Sequence, residues 1–193
     1  MKDFILNNKL HSLKKDTNGK ILHLDGDKRY SEKSNRYYKK AGLNAIVRYI
    51  TEKRQPIIVK ELLLKYEPDI LVVTGHDSMF KQKKNYSNIN NYRNSKYFIQ
   101  TVLEARKLFP SSTDLTIIAG ACQSFFEGIM AAGANFASSP ARILIDFRDP
   151  LIIASRIAKT PNSNFITIND LISDLRDGKK GIDGIGSMGK KLL

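Results

Sequence analysis

Cys122 is the single cysteine of the 193-residue chain. It follows an apolar run, Leu115 to Ala119, through Gly120 and Ala121. His76 follows a second apolar run, Asp69 to Thr74, through Gly75. A cysteine attacks a carbonyl as its thiolate, which a helix N-terminus or an imidazolium stabilises, and histidine can act as both acid and base. Together the two have the parts of a nucleophile and its proton carrier. A lone cysteine is more often a small buried hydrophobe, and a lone histidine a hydrogen-bonded surface residue. Both standing just after strands of one sheet is harder to assign to chance. His11, in a polar leader, and His23, inside the first strand, compete weakly. One cysteine excludes a disulfide framework and multi-Cys zinc sites. No metal or cofactor is expected.

The elements that must position these residues alternate. Lys20–Leu24 reads as a strand stopped by Asp25-Gly26-Asp27. Helical spacing over Ser31–Lys40 ends at Gly42, and Asn44–Ile50 is rich in β-branched and aromatic residues. Pro56 opens a helix that Pro68 closes, and Asp69–Thr74 reads as a strand buried on both faces. A long polar stretch then leads to a helix over Ser95–Phe109 and a strand over Leu115–Ala119. Cys122–Ala132 predicts a helix, Arg142–Phe147 a fifth strand, and Pro150–Ala158 a helix. Phe165–Ile168 predicts a small added strand and Asn169–Asp177 a capped helix. Residues 1–19 read as a polar leader and 178–193 as a flexible Gly/Lys-rich tail. Such alternation implies an α/β fold, a mostly parallel sheet with helices on both faces. Active sites in such sheets form at the carboxyl ends of the strands. Gly75 and Gly120 stand there, where glycine lets the backbone turn sharply and a substrate approach.

The net charge is +13, and it is uneven. Residues 1–100 carry 21 Lys/Arg against 10 Asp/Glu, and residues 101–193 carry 11 against 9. No acidic residue falls between Asp77 and Glu104, where Lys81, Lys83, Lys84, Arg93 and Lys96 are interleaved with Tyr86, Tyr92 and Tyr97. Such a loop, 81–97, could hold nucleic acid or an acidic partner, or simply be solvated. No nucleic-acid signature accompanies it, so no nucleic acid is expected. Asp25 and Asp27 could hold Mg²⁺ in a receiver-like domain, but Asp-Gly-Asp is also an ordinary turn. No apolar run is long enough for a membrane span, and Phe4 to Leu6 is too short for a signal peptide, so no membrane partner is expected and the chain reads as intracellular.

Five stretches resemble the YabG family of sporulation-specific proteases from endospore-forming bacteria. They are Ile21–Asp27, Pro68–Asp77, Asn91–Phe98, Ala119–Ser124 and Ala132–Pro140, in a match running from about Lys20 to Gly186. The resemblance implies a cysteine peptidase that processes spore coat and related spore proteins, associated with the forming spore inside sporulating cells. It puts the catalytic pair on His76 and Cys122, and the peptidase domain on residues 20–177. Family members usually carry an extra N-terminal module, and this chain looks like the peptidase domain alone. A strand ending in His and a strand ending in Ala-Cys are also similar to the caspase, legumain and gingipain group, which implies a caspase-like three-layer α/β/α fold. That group usually has Gly directly after the His, and its amide helps form the oxyanion hole. Here Gly75 precedes His76 and Asp77 follows it, so the expected oxyanion donors are the amides of Asp77 and Cys122. Asp146 and Asp149 could place a carboxylate for a basic substrate side chain, or could be ordinary surface pairing and helix capping. Basic preference would make the lysines and arginine of loop 81–97 sites of self-cleavage.

Overall fold

The computed structural model describes residues 17–81 and 85–192. Leader residues 1–16 with His11, and Lys83 and Lys84 of the basic loop, lie outside the described residues. The chain is α/β with three layers. Strands β1 (Ile21–Asp25), β2 (Ala45–Tyr49), β3 (Ile70–Thr74), β4 (Thr116–Ala119) and β5 (Phe136–Ser138) are parallel. Their order is β2-β1-β3-β4-β5, and β7 (Ile182–Gly184) closes the β5 edge antiparallel. Helices α1 (Lys28–Lys40), α2 (Gln55–Tyr66), α3 (Ser95–Leu108) and α4 (Phe126–Ala131) make the four crossovers, and α5 (Asp149–Lys159) follows β5.

The period of two along each strand divides the core between the sheet's faces. Leu22, Leu24, Leu71, Val73 and Ile117 pack against Val59 and Leu63 of α2 and Phe98 and Val102 of α3. Ile21, Ile70, Val72 and Ile118 pack on the other face with Tyr38 of α1 and Leu151, Ala154 and Ile157 of α5. Both faces are covered, so the central strands can be apolar throughout.

Four sequence expectations need correction. The fifth strand is Phe136–Ser138, not Arg142–Phe147. Ser139 and Arg142 take left-handed backbone, φ 62° and 57°, so the chain turns away from the sheet there. The helix expected from Cys122 begins at Phe126, because residues 121–125 form a turn held by side chains. In place of a helix over Asn169–Asp177 stand two 3₁₀ turns, Ile168–Asp170 and Ile172–Asp174, the first opened by a Thr167–Asp170 capping box. The segment after Gly178, expected as a flexible tail, supplies β7 and β8 (Ser187–Met188), which pairs with β6 (Phe165–Ile166). Buried Ile182 anchors it, and the sheet edge satisfies its backbone.

Candidate active site

The strand order changes direction at β1 and β3, the place where open α/β sheets form their crevice. Asp25 pairs with Thr74 in register, and Val73 with Ala119, so β1, β3 and β4 end side by side. Asp27, His76 and Cys122 follow those three ends. His76 and Cys122 line one cleft of about 100 Å³, together with Asp25, Gly75, Gly120 and Tyr30. The rings of Tyr30 and Phe147, 5.5 Å apart, form one wall.

His76 is held at three points. Its Nε2 lies 2.8 Å from Oδ2 of Asp27. Its amide donates to Oε1 of Glu52 at 2.7 Å, and its carbonyl accepts from Nδ2 of Asn94 at 2.7 Å. A side chain at Gly26 or Gly75 would meet the Glu52 carboxylate and push it from its place at the His76 amide. Asp27 also caps α1, its Oδ1 accepting from the Tyr30 amide at 2.9 Å. The hydrogen bond from His76 holds the Asp27 carboxyl below the usual range, so that bond runs to a carboxylate. The imidazole therefore carries its proton on Nε2, which leaves Nδ1 for proton exchange.

Cys122 is half-buried on the 121–125 turn. Ser124 Oγ accepts from the Ala121 amide at 2.9 Å. Gln123 is left-handed, φ 55°, and its amide donates to Ser139 Oγ at 3.1 Å and to the Ile143 carbonyl at 3.0 Å. This strained turn, rather than a helix N-terminus, presents the thiol, whose Sγ lies 3.9 Å from the Ile145 carbonyl. Among the described residues, the amides of Asp77 and Cys122 have no protein acceptor.

The side chain of Asp77 does something the sequence did not reveal. Buried, it accepts from the amides of Ser78 and Asn94, each at 2.8 Å, and from the hydroxyls of Ser95 and Ser124, the latter at 3.1 Å. It ties the histidine loop to the start of α3 and to the cysteine turn.

Asp146 and Asp149 do not line the cleft. The strand expected before them ends at Ser138 instead, so they do not stand at a strand end. Asp146 pairs with Arg148 at 3.0 Å. Asp149 is buried at the start of α5, where Oδ1 accepts from the Arg176 amide at 3.2 Å. The carboxylate in the cleft wall is Asp25, 4% exposed. Burial pushes its pKa up, against hydrogen bonds from the Asp27 amide and the Thr74 hydroxyl, both at 2.7 Å. The rule that led to residues after each strand also reaches Asp25 and Asp27. Glu52 and Tyr30 carried no such signal.

Behind Asp25 runs a buried chain. Thr74 spends its hydroxyl proton on Asp25, so His23 Nε2 must donate to Thr74 Oγ1 across 2.6 Å. His23 Nδ1 faces the Tyr38 hydroxyl at 3.3 Å. Burial lowers the His23 pKa from 6.5 to about 3. Below pH 6.5 the unfolded chain takes up a proton there that the folded chain refuses until about pH 3. This group's stabilisation is complete above that window and is lost as pH falls through it, about 1.4 kcal/mol per pH unit at most. Urea unfolding of the wild type should therefore weaken from pH 7 to 5, and His23→Gln should flatten that slope. An unchanged slope in the variant would count against the assignment.

A family model described as YabG peptidase U57 matches residues 4–192. The chain belongs to the YabG peptidase U57 family. It is 45% identical over 171 residues to the "Sporulation-specific protease YabG" of Bacillus subtilis (strain 168), an alignment covering 89% of this chain and 59% of that protein. The chain thus spans about three-fifths of the length of this curated relative. No solved structure matches. Among the described residues, no helix is long and apolar enough to cross a membrane.

The Asp27–His76 contact makes the expected role of His76 testable. Asp27→Asn keeps the helix cap but replaces the anion that orients the ring. We expect kcat of the peptidase reaction to drop about 10- to 100-fold, with KM little changed. Equal loss in kcat and in thermal stability would reduce Asp27 to its cap.

Proposed function

We propose that this chain is a cysteine endopeptidase domain acting on spore coat and related spore proteins in sporulating cells. The observation that carries the reading is the cleft at the ends of β1, β3 and β4, which Cys122 and His76 both line in a chain of a peptidase family. The Cys122 thiol gives its proton to His76 Nδ1 and its sulfur attacks the scissile carbonyl. The Asp77 and Cys122 amides receive the oxyanion. His76 protonates the leaving amine as the C–N bond breaks, which leaves the acyl group on sulfur. Water then gives a proton to His76 and attacks the acyl carbon, and Cys122 leaves with that proton. No metal takes part in this sequence.

Asp25 gives the cleft a carboxyl group in its wall, a partner for a lysine or arginine side chain before the cut, the place first offered to Asp146 and Asp149. Loop 81–97, rich in such residues, is then a site of self-cleavage. The order of strands and the Cys/His placement also favour kinship with the caspase-like peptidases.

Covalent capture tests this. A peptide ending in an arginyl acyloxymethyl ketone should label the protein once, and mass spectrometry should place the adduct on Cys122. A leucyl analogue should react at least about tenfold more slowly, the loss of one charge-assisted contact in a desolvated cleft. Cleavage of a protein substrate without any labelling of Cys122 would overturn the reading.

A further inference from the structure

A second concavity of about 610 Å³ lies beside the cleft, lined by Ser78, Met79, Phe80, Lys81, Tyr86, Arg93 and Gln123. The two share a border in sequence: Cys122 faces the cleft and Gln123 the groove, while His76 faces the cleft and Ser78 the groove. The groove is a built surface. Phe80 donates its amide to Asn91 and Arg93 to Ser78, at 2.9 and 3.0 Å, around a Met79–Tyr92 bridge. Tyr92 in turn stacks on Phe125, 5.3 Å away, and its hydroxyl holds the Tyr86 carbonyl at 2.8 Å. The floor is thereby fixed to the cysteine turn. Phe80 and Tyr86 are 43% and 56% exposed, and the Arg93 guanidinium lies 5.7 Å from the Phe80 ring.

The lining holds two cations and no carboxylate. The surrounding sequence has no acidic residue from Ser78 to Leu103. Exposed rings beside cations that form no ion pair among the described residues suit a chain that offers carboxylates and aromatic or apolar side chains together.

We propose that this groove is an extended substrate subsite, which holds an acidic segment of the protein substrate a few residues from the bond placed over Cys122. The proposal rests on the peptidase reading. It adds to the basic side chain in the cleft a second requirement, negative charge at a distance, and makes recognition bipartite. Attraction of this kind is partly screened, so it weakens with salt.

Binding can be measured apart from catalysis. Fluorescence anisotropy of the Cys122→Ala protein is recorded with three labelled probes. These are a 12-residue Asp/Glu-rich peptide with one tyrosine, its Asn/Gln counterpart, and a single-stranded oligonucleotide of equal charge. We expect the acidic peptide to bind at least tenfold more tightly than its amide counterpart, and more tightly than the oligonucleotide. Lys81→Glu and Arg93→Glu, both at exposed positions, should each weaken it about fivefold or more, and added salt should weaken it in the unmodified groove. Equal binding of the acidic and amide peptides overturns the proposal, as does indifference to both charge reversals. Tighter binding of the oligonucleotide overturns it too and assigns the groove to nucleic acid. Selective acidic binding in a protein that cleaves no peptide would leave the groove standing and remove the peptidase reading instead.

Discussion

Cys122→Ala is expected to abolish cleavage of a protein substrate, with kcat reduced at least about 10⁴-fold. The reason is chemical rather than structural. Alanine removes the only thiol in the chain and with it the proposed acyl-enzyme, and the Thr74 hydroxyl that also lines the cleft is committed to Asp25. The fold should not notice. The thiol is half-buried, and its polar contact among the described residues is a 3.9 Å approach to the Ile145 carbonyl. The turn that presents it is held by Ser124, Ser139 and the Gln123 amide, all untouched by the change. Thermal unfolding should stay within ~2 °C of wild type, the scale of a loss below 1 kcal/mol. His76→Ala should reach a comparable loss, because in the proposed mechanism the same ring serves both proton transfers. Cleavage that persists in Cys122→Ala, at more than a trace, would sink the mechanism.

Asp77→Ala should be the most damaging change near the site. Four donors from three segments converge on that carboxylate: the amides of Ser78 and Asn94 and the hydroxyls of Ser95 and Ser124. Burial pushes the Asp77 pKa up, and the donors, Ser95 foremost, pull it back. Alanine leaves all four without an acceptor in a place water reaches poorly, and an unmet buried donor costs about 1–3 kcal/mol. Water and relaxation recover part of that, so a loss of about 3–5 kcal/mol is expected, a large share of a domain's ~5–15 kcal/mol. Asp77→Asn keeps one acceptor oxygen and points an amide donor at donors, so it should lie between wild type and alanine. Urea unfolding gives the order directly. If alanine costs less than 1 kcal/mol, the hub is dispensable. Activity should fall in both variants along with the coupling of the His76 loop to the Cys122 turn.

The sequence alone was enough for the fold class, because the signal is periodic and local. Ile70–Thr74 and Thr116–Ala119 are apolar except for one threonine each and buried at every position, as strands covered on both faces are. The rule that sites form after such strands then reached His76, Cys122, Asp25 and Asp27 without any knowledge of packing. It could not say what each does. Asp-Gly-Asp looks alike as a turn, a metal ligand or a histidine partner. Only the register of β1 against β3 sets Asp27 within 2.8 Å of His76.

Tertiary structure also decided what local pattern misread. Arg142–Phe147 is β-prone but lies outside the sheet, because Ser139 and Arg142 turn left-handed and the Ile143 carbonyl is taken up by Gln123. Phe136–Ser138, only three residues long, wins the place beside β4 because Asn135 locks it there, its side chain accepting from the Ile117 amide at 2.9 Å. The glycines after Gly178 suggest mobility until a sheet edge next to β5 uses their backbone. Asp146 and Asp149 lie outside the cleft, because the strand expected before them is elsewhere, and the cleft wall carries Asp25. Propensity and periodicity act over a few residues, and they determined which segments are strands, which are helices and which residues follow them. Hydrogen bonds between residues tens of positions apart decided where those residues point, and they set one cysteine and one histidine around a single cleft.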